Sequence, residues 1–260
     1  MELIQILILG IIQGLTEFLP VSSSGHLILT PLVFNFNDQG LALDAILHLG
    51  TLMAIIIFFK KDLSEIFKGL FDRERDTHRI AWCIMAASLP AGLIGLFFAE
   101  WIESNLRSPT FVAINLLIWS AVFYIADRSA KKENQSELKE LKSSQIFFIG
   151  CAQAIALLPG TSRSGITITA ALLIGLSRSL SIKYAFLLSI PVIALATLLK
   201  TFDLVNEINQ VNWTLLLIGF VIALITAYTT IVFFIRLVER IGFMPFVIYR
   251  ILLGAMLLLL

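Results

Sequence analysis

The chain has 260 residues, of which 58% are hydrophobic and 14% charged, with a net charge of +1 at pH 7. Soluble domains carry about 25% charged residues, so this composition describes a membrane protein and excludes a separate soluble domain. A near-neutral balance leaves no electrostatic footprint for nucleic acid. The two cysteines, Cys83 and Cys151, lie in apolar runs and suggest neither a disulfide framework nor a metal site. The start Met1-Glu2-Leu3 lacks the basic region of a cleavable signal peptide, so insertion is expected to use the first hydrophobic segments.

Leu3 to Phe18 is apolar but carries Gln5, Gln13 and Glu17, and Pro20 and Gly25 break any helix before the next run, Leu27 to Phe36. That second run is too short to cross a bilayer, which takes about 20 residues. Residues 3 to 36 therefore read as two short helices that enter the membrane and return. Broken backbone of this kind is tolerated only where protein or a water-filled cavity covers it. Within it, Gln13 to His26 holds Glu17, His26 and three serines at membrane depth, where costly ionisable groups mark function. Three spans follow: Leu41 to Phe59, Ile80 to Trp101 and Phe111 to Ile125. Asp44 and His48, at i and i+4 on the first, read as a helix-end ion pair. Lys60 to Arg79 reads as a loop charged with both signs. Asp127 to Lys142, with Lys131, Lys132, Glu133, Glu137, Lys139 and Glu140, reads as a solvated helix or loop between two halves.

The pattern then restarts. Gln145 to Leu158 is apolar, Pro159-Gly160-Thr161-Ser162-Arg163-Ser164-Gly165 breaks it, and Ile166 to Leu176 is a second short run. Tyr184 to Leu199, Trp213 to Ile235 and Phe243 to Leu260 are three more spans. At an offset of 140, Gly10 matches Gly150, Gln13 matches Gln153, Ser22 matches Ser162, Ser24 matches Ser164 and Gly25 matches Gly165. Each half holds one re-entrant pair and three spans, and an odd number inverts the second half relative to the first. The expected fold is an all-α integral membrane protein with an inverted repeat, six spans in total. It forms one membrane domain over residues 1–260: a first repeat (1–127), a cytoplasmic linker (128–144) and a second, inverted repeat (145–260). Such repeats place a site near the midplane, where the two broken tips meet. Lys60 to Arg79, Arg128 to Lys142 and Arg236 to Arg240 contain 13 Lys or Arg, whereas the opposite loops contain only Arg107. The positive-inside rule makes the first side cytoplasmic and turns the first tip outward.

Each tip is placed like the start of a helix, where unpaired N–H groups and a positive dipole end cradle anions. Ser22, Ser23, Ser24 and Gly25 form one cradle; Thr161, Ser162, Arg163 and Ser164 form the other. Arg163 adds a planar fork suited to phosphate oxygens. A hydroxyl activated by a base or a metal can attack phosphorus, and His26 shares a helical face with Ser23 if a helix starts there. Gln13 and Glu17 also share a face and could hold a divalent metal through oxygen or orient the imidazole. The chemistry suits phosphoryl transfer, and an apolar protein of this kind points to a lipid substrate. A transporter or flippase of a polyprenyl phosphate lipid is the competing class, since broken helices in inverted repeats are also transporter architecture.

Gln13-x-x-x-Glu17 followed by Phe18-Leu19-Pro20-Val21-Ser22-Ser23-Ser24-Gly25-His26 resembles the first signature of the undecaprenyl-diphosphate phosphatase family (UppP, also called BacA). Pro159 to Gly165 resembles its second, and Tyr249-Arg250 near the end also fits. The first signature opens with Glu in many members and with Gln13 here. The resemblance implies a multi-pass enzyme of the bacterial inner membrane with its site facing the periplasm. Such an enzyme removes the terminal phosphate of undecaprenyl diphosphate and returns the lipid carrier of cell-wall synthesis, which also confers bacitracin tolerance. It implies a divalent cation, magnesium or calcium, with Glu17 and Gln13 as its ligands. By matching position, Glu17, Ser23, His26 and Arg163 are catalytic, and Ser22, Ser162 and Thr167 support or bind. Ser23 with His26 as acid/base is the favoured assignment, and the reverse stays open, as does a homodimer. A two-histidine lipid phosphatase mechanism lacks its second imidazole, because no histidine follows Arg163.

Overall fold

The computed structural model describes residues 3–34, 36, 40–130, 141–204 and 212–259, and every regular element among them is a helix. The chain opens with α1 (Leu3–Thr16), a break at 17–22, and α2 (Ser23–Phe34). At 1.5 Å per residue α1 is about 21 Å long, too short for a hydrocarbon core of about 30 Å. The same pattern returns as α7 (Ser143–Ile155), a break at 156–162, and α8 (Arg163–Leu173). Helix α3 (Gly40–Phe58) turns by 86° into α4 (Lys60–Phe71). Part of the expected charged loop after residue 60 is thus helical. Its apolar residues recur at helical spacing (Leu63, Ile66, Leu70), so one face packs while Lys and Glu face out. The rest of that segment is tied by Arg75 donating to Glu65 and Asp72, both at 3.0 Å.

The remaining helices are α5 (His78–Asn105), α6 (Pro109–Ser129), α9 (Arg178–Leu204), α10 (Trp213–Ile241) and α11 (Met244–Leu258). Four of them, α5, α6, α9 and α10, include stretches long and apolar enough to cross a membrane; the bent α3–α4 pair makes a fifth if the two helices count as one span. The expected short span at Phe111 to Ile125 is longer, because Ser108 caps it and Pro109 opens its first turn. The expected last span is shorter, since α11 has 15 residues. Two tryptophans, Trp82 and Trp101, stand more than half exposed on α5. They are separated by about 28 Å at 1.5 Å per residue. That spacing matches the two interfacial belts of a bilayer. With Phe97 and Phe233 about 70% exposed between polar ends, the outer surface suits lipid, and the chain is a multi-pass membrane protein. Residues 131–140 of the expected linker (128–144) and the 205–211 part of the expected outer loop lie outside the described residues; the linker's described ends belong in part to helices, since α6 runs to Ser129 and α7 begins at Ser143.

Helix α10 packs on α1, α3 and α9; α5 packs on α7 and α9; α6 packs on α8 and α11. The close approaches require glycine at Gly14, where a Cβ would lie 2.6 Å from Thr226, and at Gly150, where it would lie 2.2 Å from the Ala87 carbonyl. Small residues are how membrane helices bring their backbones together. The two breaks meet in the middle of this packing.

Candidate active site

Both breaks are built alike. Ser22 and Ser162 adopt φ of +73° and +72°, which side-chain-bearing residues rarely do. Each turns its hydroxyl back to accept the N–H three residues on, Gly25 at 3.4 Å and Gly165 at 3.1 Å. Each also meets the hydroxyl two residues on, Ser24 and Ser164, at 3.3 Å. The positive φ reverses the chain so that the next helix can start, and the hydroxyl caps that start. Strain of this kind concentrates at functional sites.

Arg250 holds the breaks together. It is 1% exposed, on α11, and its guanidinium donates to the carbonyls of Pro20 (3.2 Å), Thr161 (3.0 Å) and Gly160 (3.5 Å), and to Ser120 Oγ (3.0 Å). Asn115 donates to the Pro159 carbonyl at 3.0 Å, and Ser164 donates to that of Leu19 at 2.9 Å. Backbone groups that no helix satisfies are thereby paired inside the protein, as hydrocarbon demands.

Glu17 is the centre. Its Oε1 accepts from Arg163 Nη2 at 2.5 Å. Its Oε2 accepts from Ser23 Oγ at 2.8 Å and Gln13 Nε2 at 2.9 Å. His48 Nε2 stands 3.8 Å from the same oxygen. The ring's Nδ1 bonds the Asp44 carbonyl at 2.8 Å, which fixes Nδ1 as the protonated nitrogen because a carbonyl only accepts. The expected helix-end pairing of Asp44 with His48 is therefore replaced, for the imidazole, by a main-chain bond and a view of Glu17. Arg163 lies 5.9 Å from the Phe18 ring centre, a cation–π contact, and its Nη1 is buried with no partner. The guanidinium thus grips Glu17 with one arm and keeps the other unused.

These groups line a cavity of about 190 Å³. Glu17, Ser22, Ser23, Ser24, His48, Gln153, Ser162 and Arg163 form its polar part; Ala91, Ala156, Leu157, Val192, Ile193 and Ala196 form an apolar wall. Of the residues singled out from the sequence, the structure brings Glu17, Ser23, Arg163, Ser22, Ser24, Ser162 and Gln13 together. It does not bring in His26. That ring's Nδ1 bonds the Ser22 carbonyl at 2.8 Å, and its Nε2 meets the Tyr249 hydroxyl at 2.6 Å. The two rings stack at 5.7 Å. With Nδ1–H donating, Nε2 accepts the tyrosine proton, so both ring nitrogens are engaged away from Ser23. Thr167 is buried and donates to the Arg163 carbonyl at 2.8 Å, supporting the helix start behind the guanidinium. Thr161 contributes its carbonyl to Arg250, and its own hydroxyl is unpartnered.

The family described as bacitracin resistance protein BacA matches residues 6–256, almost the whole chain. The chain belongs to the BacA family. Its relatives include undecaprenyl-diphosphatase 2 of Stutzerimonas stutzeri (strain A1501), 48% identical over 100% of this chain and 98% of the relative. An undecaprenyl-diphosphatase of Alcanivorax borkumensis is 46% identical over 99% and 98%, and one of Ruthia magnifica is 45% identical over 98% and 97%. Within this BacA-family chain, sequence reasoning missed the work of Arg250, Asn115 and His48. Each is a polar residue inside an apolar helix, which is signal enough to mark it, but nothing local says which loop it serves.

Proposed function

We propose that this chain hydrolyses the terminal phosphate of undecaprenyl diphosphate, releasing undecaprenyl phosphate for further rounds of cell-wall synthesis, and that bacitracin tolerance follows from the same reaction. The relatives named undecaprenyl-diphosphatase support the substrate. One observation carries the site: a single carboxylate, Glu17, accepts a hydrogen bond from the Ser23 hydroxyl on one oxygen and grips Arg163 with the other. That arrangement couples a nucleophile to its base and sets a phosphate-matching fork beside both.

In the reaction the terminal phosphoryl group lies against Ser23 Oγ, with its oxygens on the unused Nη1 of Arg163 and on the N–H groups at the start of α2 and α8. Ser23 Oγ attacks phosphorus as its proton passes to Glu17 Oε2, and the bond to the bridging oxygen breaks. The electron pair stays with the departing lipid phosphate. Water then attacks the phosphoserine, the bond between Ser23 Oγ and phosphorus breaks, Glu17 returns its proton to Ser23 Oγ, and inorganic phosphate leaves with the protons of the water. This geometry favours Glu17 over His26 as the immediate base; His26 orders the first break through the Ser22 carbonyl. A transport reading leaves the Ser23–Glu17 pair without a task.

A divalent cation fits here only in company with the substrate. Among the described residues, Glu17 is the one carboxylate on the cavity, and no cluster of three His, Cys, Asp or Glu could cage an ion. Yet Gln13 Oε1 is buried and unpartnered beside Glu17. Those two oxygens would hold magnesium or calcium, with diphosphate oxygens completing the shell, and the ion would neutralise phosphoryl charge. The inverted repeat is part of the same proposal. It is supported by the twin serines at positive φ, by the breaks at matching positions, and by the reciprocal packing of α1 on α10 and α7 on α5. In this reading the membrane is the bacterial inner membrane and the first tip faces the periplasm. Release of inorganic phosphate from undecaprenyl diphosphate by purified protein tests the reading; pure protein that binds this lipid but releases no phosphate would refute it.

A further inference from the structure

Among the described residues at or next to the cavity, buried polar atoms with no partner include Arg163 Nη1, Gln13 Oε1 and both amide atoms of Gln153, Nε2 and Oε1. The first two already have work. Gln153 does not. It is 1% exposed near the end of α7 and lines the cavity. Burying an amide with neither its donor nor its acceptor satisfied is unfavourable, and proteins seldom keep such a group without a reason. A leucine or methionine would occupy that space without the desolvation cost.

We propose that Gln153 is a binding subsite for the prenyl-bearing phosphate of the lipid diphosphate, donating Nε2–H to one of its oxygens. The inference rests on the reading that this cavity is where hydrolysis occurs. Ser23 and Arg163 fix the scissile phosphorus at the polar end. The second phosphorus is the next centre along and leads to the hydrocarbon chain, so it lies between the polar groups and the apolar wall. Gln153 is the polar lining residue carried on the same segment as Ala156 and Leu157, which belong to that wall. An amide suits this position. It donates without adding a charge that would trap the product. When the bridging P–O bond breaks, the electron pair left on the departing lipid phosphate raises its negative charge, and the N–H bond to it strengthens.

The test uses purified full-length protein and three probes: farnesyl diphosphate, farnesyl monophosphate and inorganic phosphate. Gln153→Met, close in shape and lacking the polar atoms, is compared with wild type and with Gln153→Glu. In Gln153→Met the KM for farnesyl diphosphate and the inhibition constant for farnesyl monophosphate should each rise about tenfold or more, the scale of a hydrogen bond to a charged group. Gln153→Glu should lose more, because a carboxylate then faces phosphate. Inhibition by inorganic phosphate, which occupies the scissile position, should not change. The melting temperature of Gln153→Met should match or exceed that of wild type, since an unsatisfied amide has been removed. A binding loss accompanied by a lower melting temperature and equally weakened inorganic phosphate would overturn the subsite, as would unchanged inhibition by farnesyl monophosphate. If wild type hydrolyses nothing, the reading of the cavity fails instead, and calorimetric titration with farnesyl monophosphate still decides for or against Gln153.

Discussion

Glu17 gathers donors from three elements, Gln13 on α1, Ser23 on α2 and Arg163 on α8, and the chemistry at residue scale depends on how they divide its two oxygens. Ser23 is small and Arg163 carries the anion, so Ser23→Ala should abolish hydrolysis while lipid diphosphate binding changes little. Acid-stable phosphoserine, trapped on wild type and absent from the variant, would show the attacking residue; phosphate on His26 would reverse the assignment. Arg163→Lys should lower turnover by about 10²–10³, the scale of one stabilising donor, because a point charge cannot serve Glu17 and phosphate together. Steady-state rates on monodisperse protein measure this, and near-normal turnover would make Arg163 structural. Glu17, Ser23 and Arg163 were legible in the sequence because ionisable and hydroxyl groups stand out in apolar runs. The placement of His26 was not, because its ring is turned by Tyr249, 223 residues away. His48 was misread for a related reason: i,i+4 spacing predicts a side-chain pair with Asp44, while the tertiary fold offers Glu17.

At the scale of elements, each break depends on a strained serine and a distant arginine. Arg250→Met should leave the Pro20, Gly160 and Thr161 carbonyls without their shared donor. Losing a partner for a buried acceptor costs about 1–3 kcal/mol. A fall in melting temperature together with a large loss of activity is expected, whereas an unchanged melting curve would show that Arg250 does not hold the breaks. Gly150→Leu should prevent α7 from seating on α5, since even a Cβ there would overlap the Ala87 carbonyl; loss of monodisperse protein on size-exclusion chromatography checks it. Helix starts were readable where Ser or Gly punctuates an apolar run, as at Ser23 and Arg163, whereas the start at Pro109 lies two residues before the expected one. Helix α4 was not, because a run dense in both charges looks like a loop until its apolar face finds α5.

At the scale of the whole molecule, the proposed fold joins two similar halves, and the proposed orientation follows from charge. Residue 135, replaced by cysteine in a background without Cys83 and Cys151, should resist an impermeant reagent applied from outside the cell. Labelling there would invert the proposed topology and turn the first tip to the cytoplasm. The membrane class was legible from composition, while the length of the last span was not, because apolar residues continue past the point where packing ends a helix. The central claim is that Glu17 is at once the proton acceptor of Ser23 and the anchor of Arg163. Glu17→Gln keeps the shape but cannot take the proton, and it leaves a buried guanidinium without its counter-charge. Phosphate release from undecaprenyl diphosphate should fall by about 10²–10⁴, the range for a lost general base, in protein that still elutes as a single folded species. Turnover within a few-fold of wild type in that variant would contradict the account.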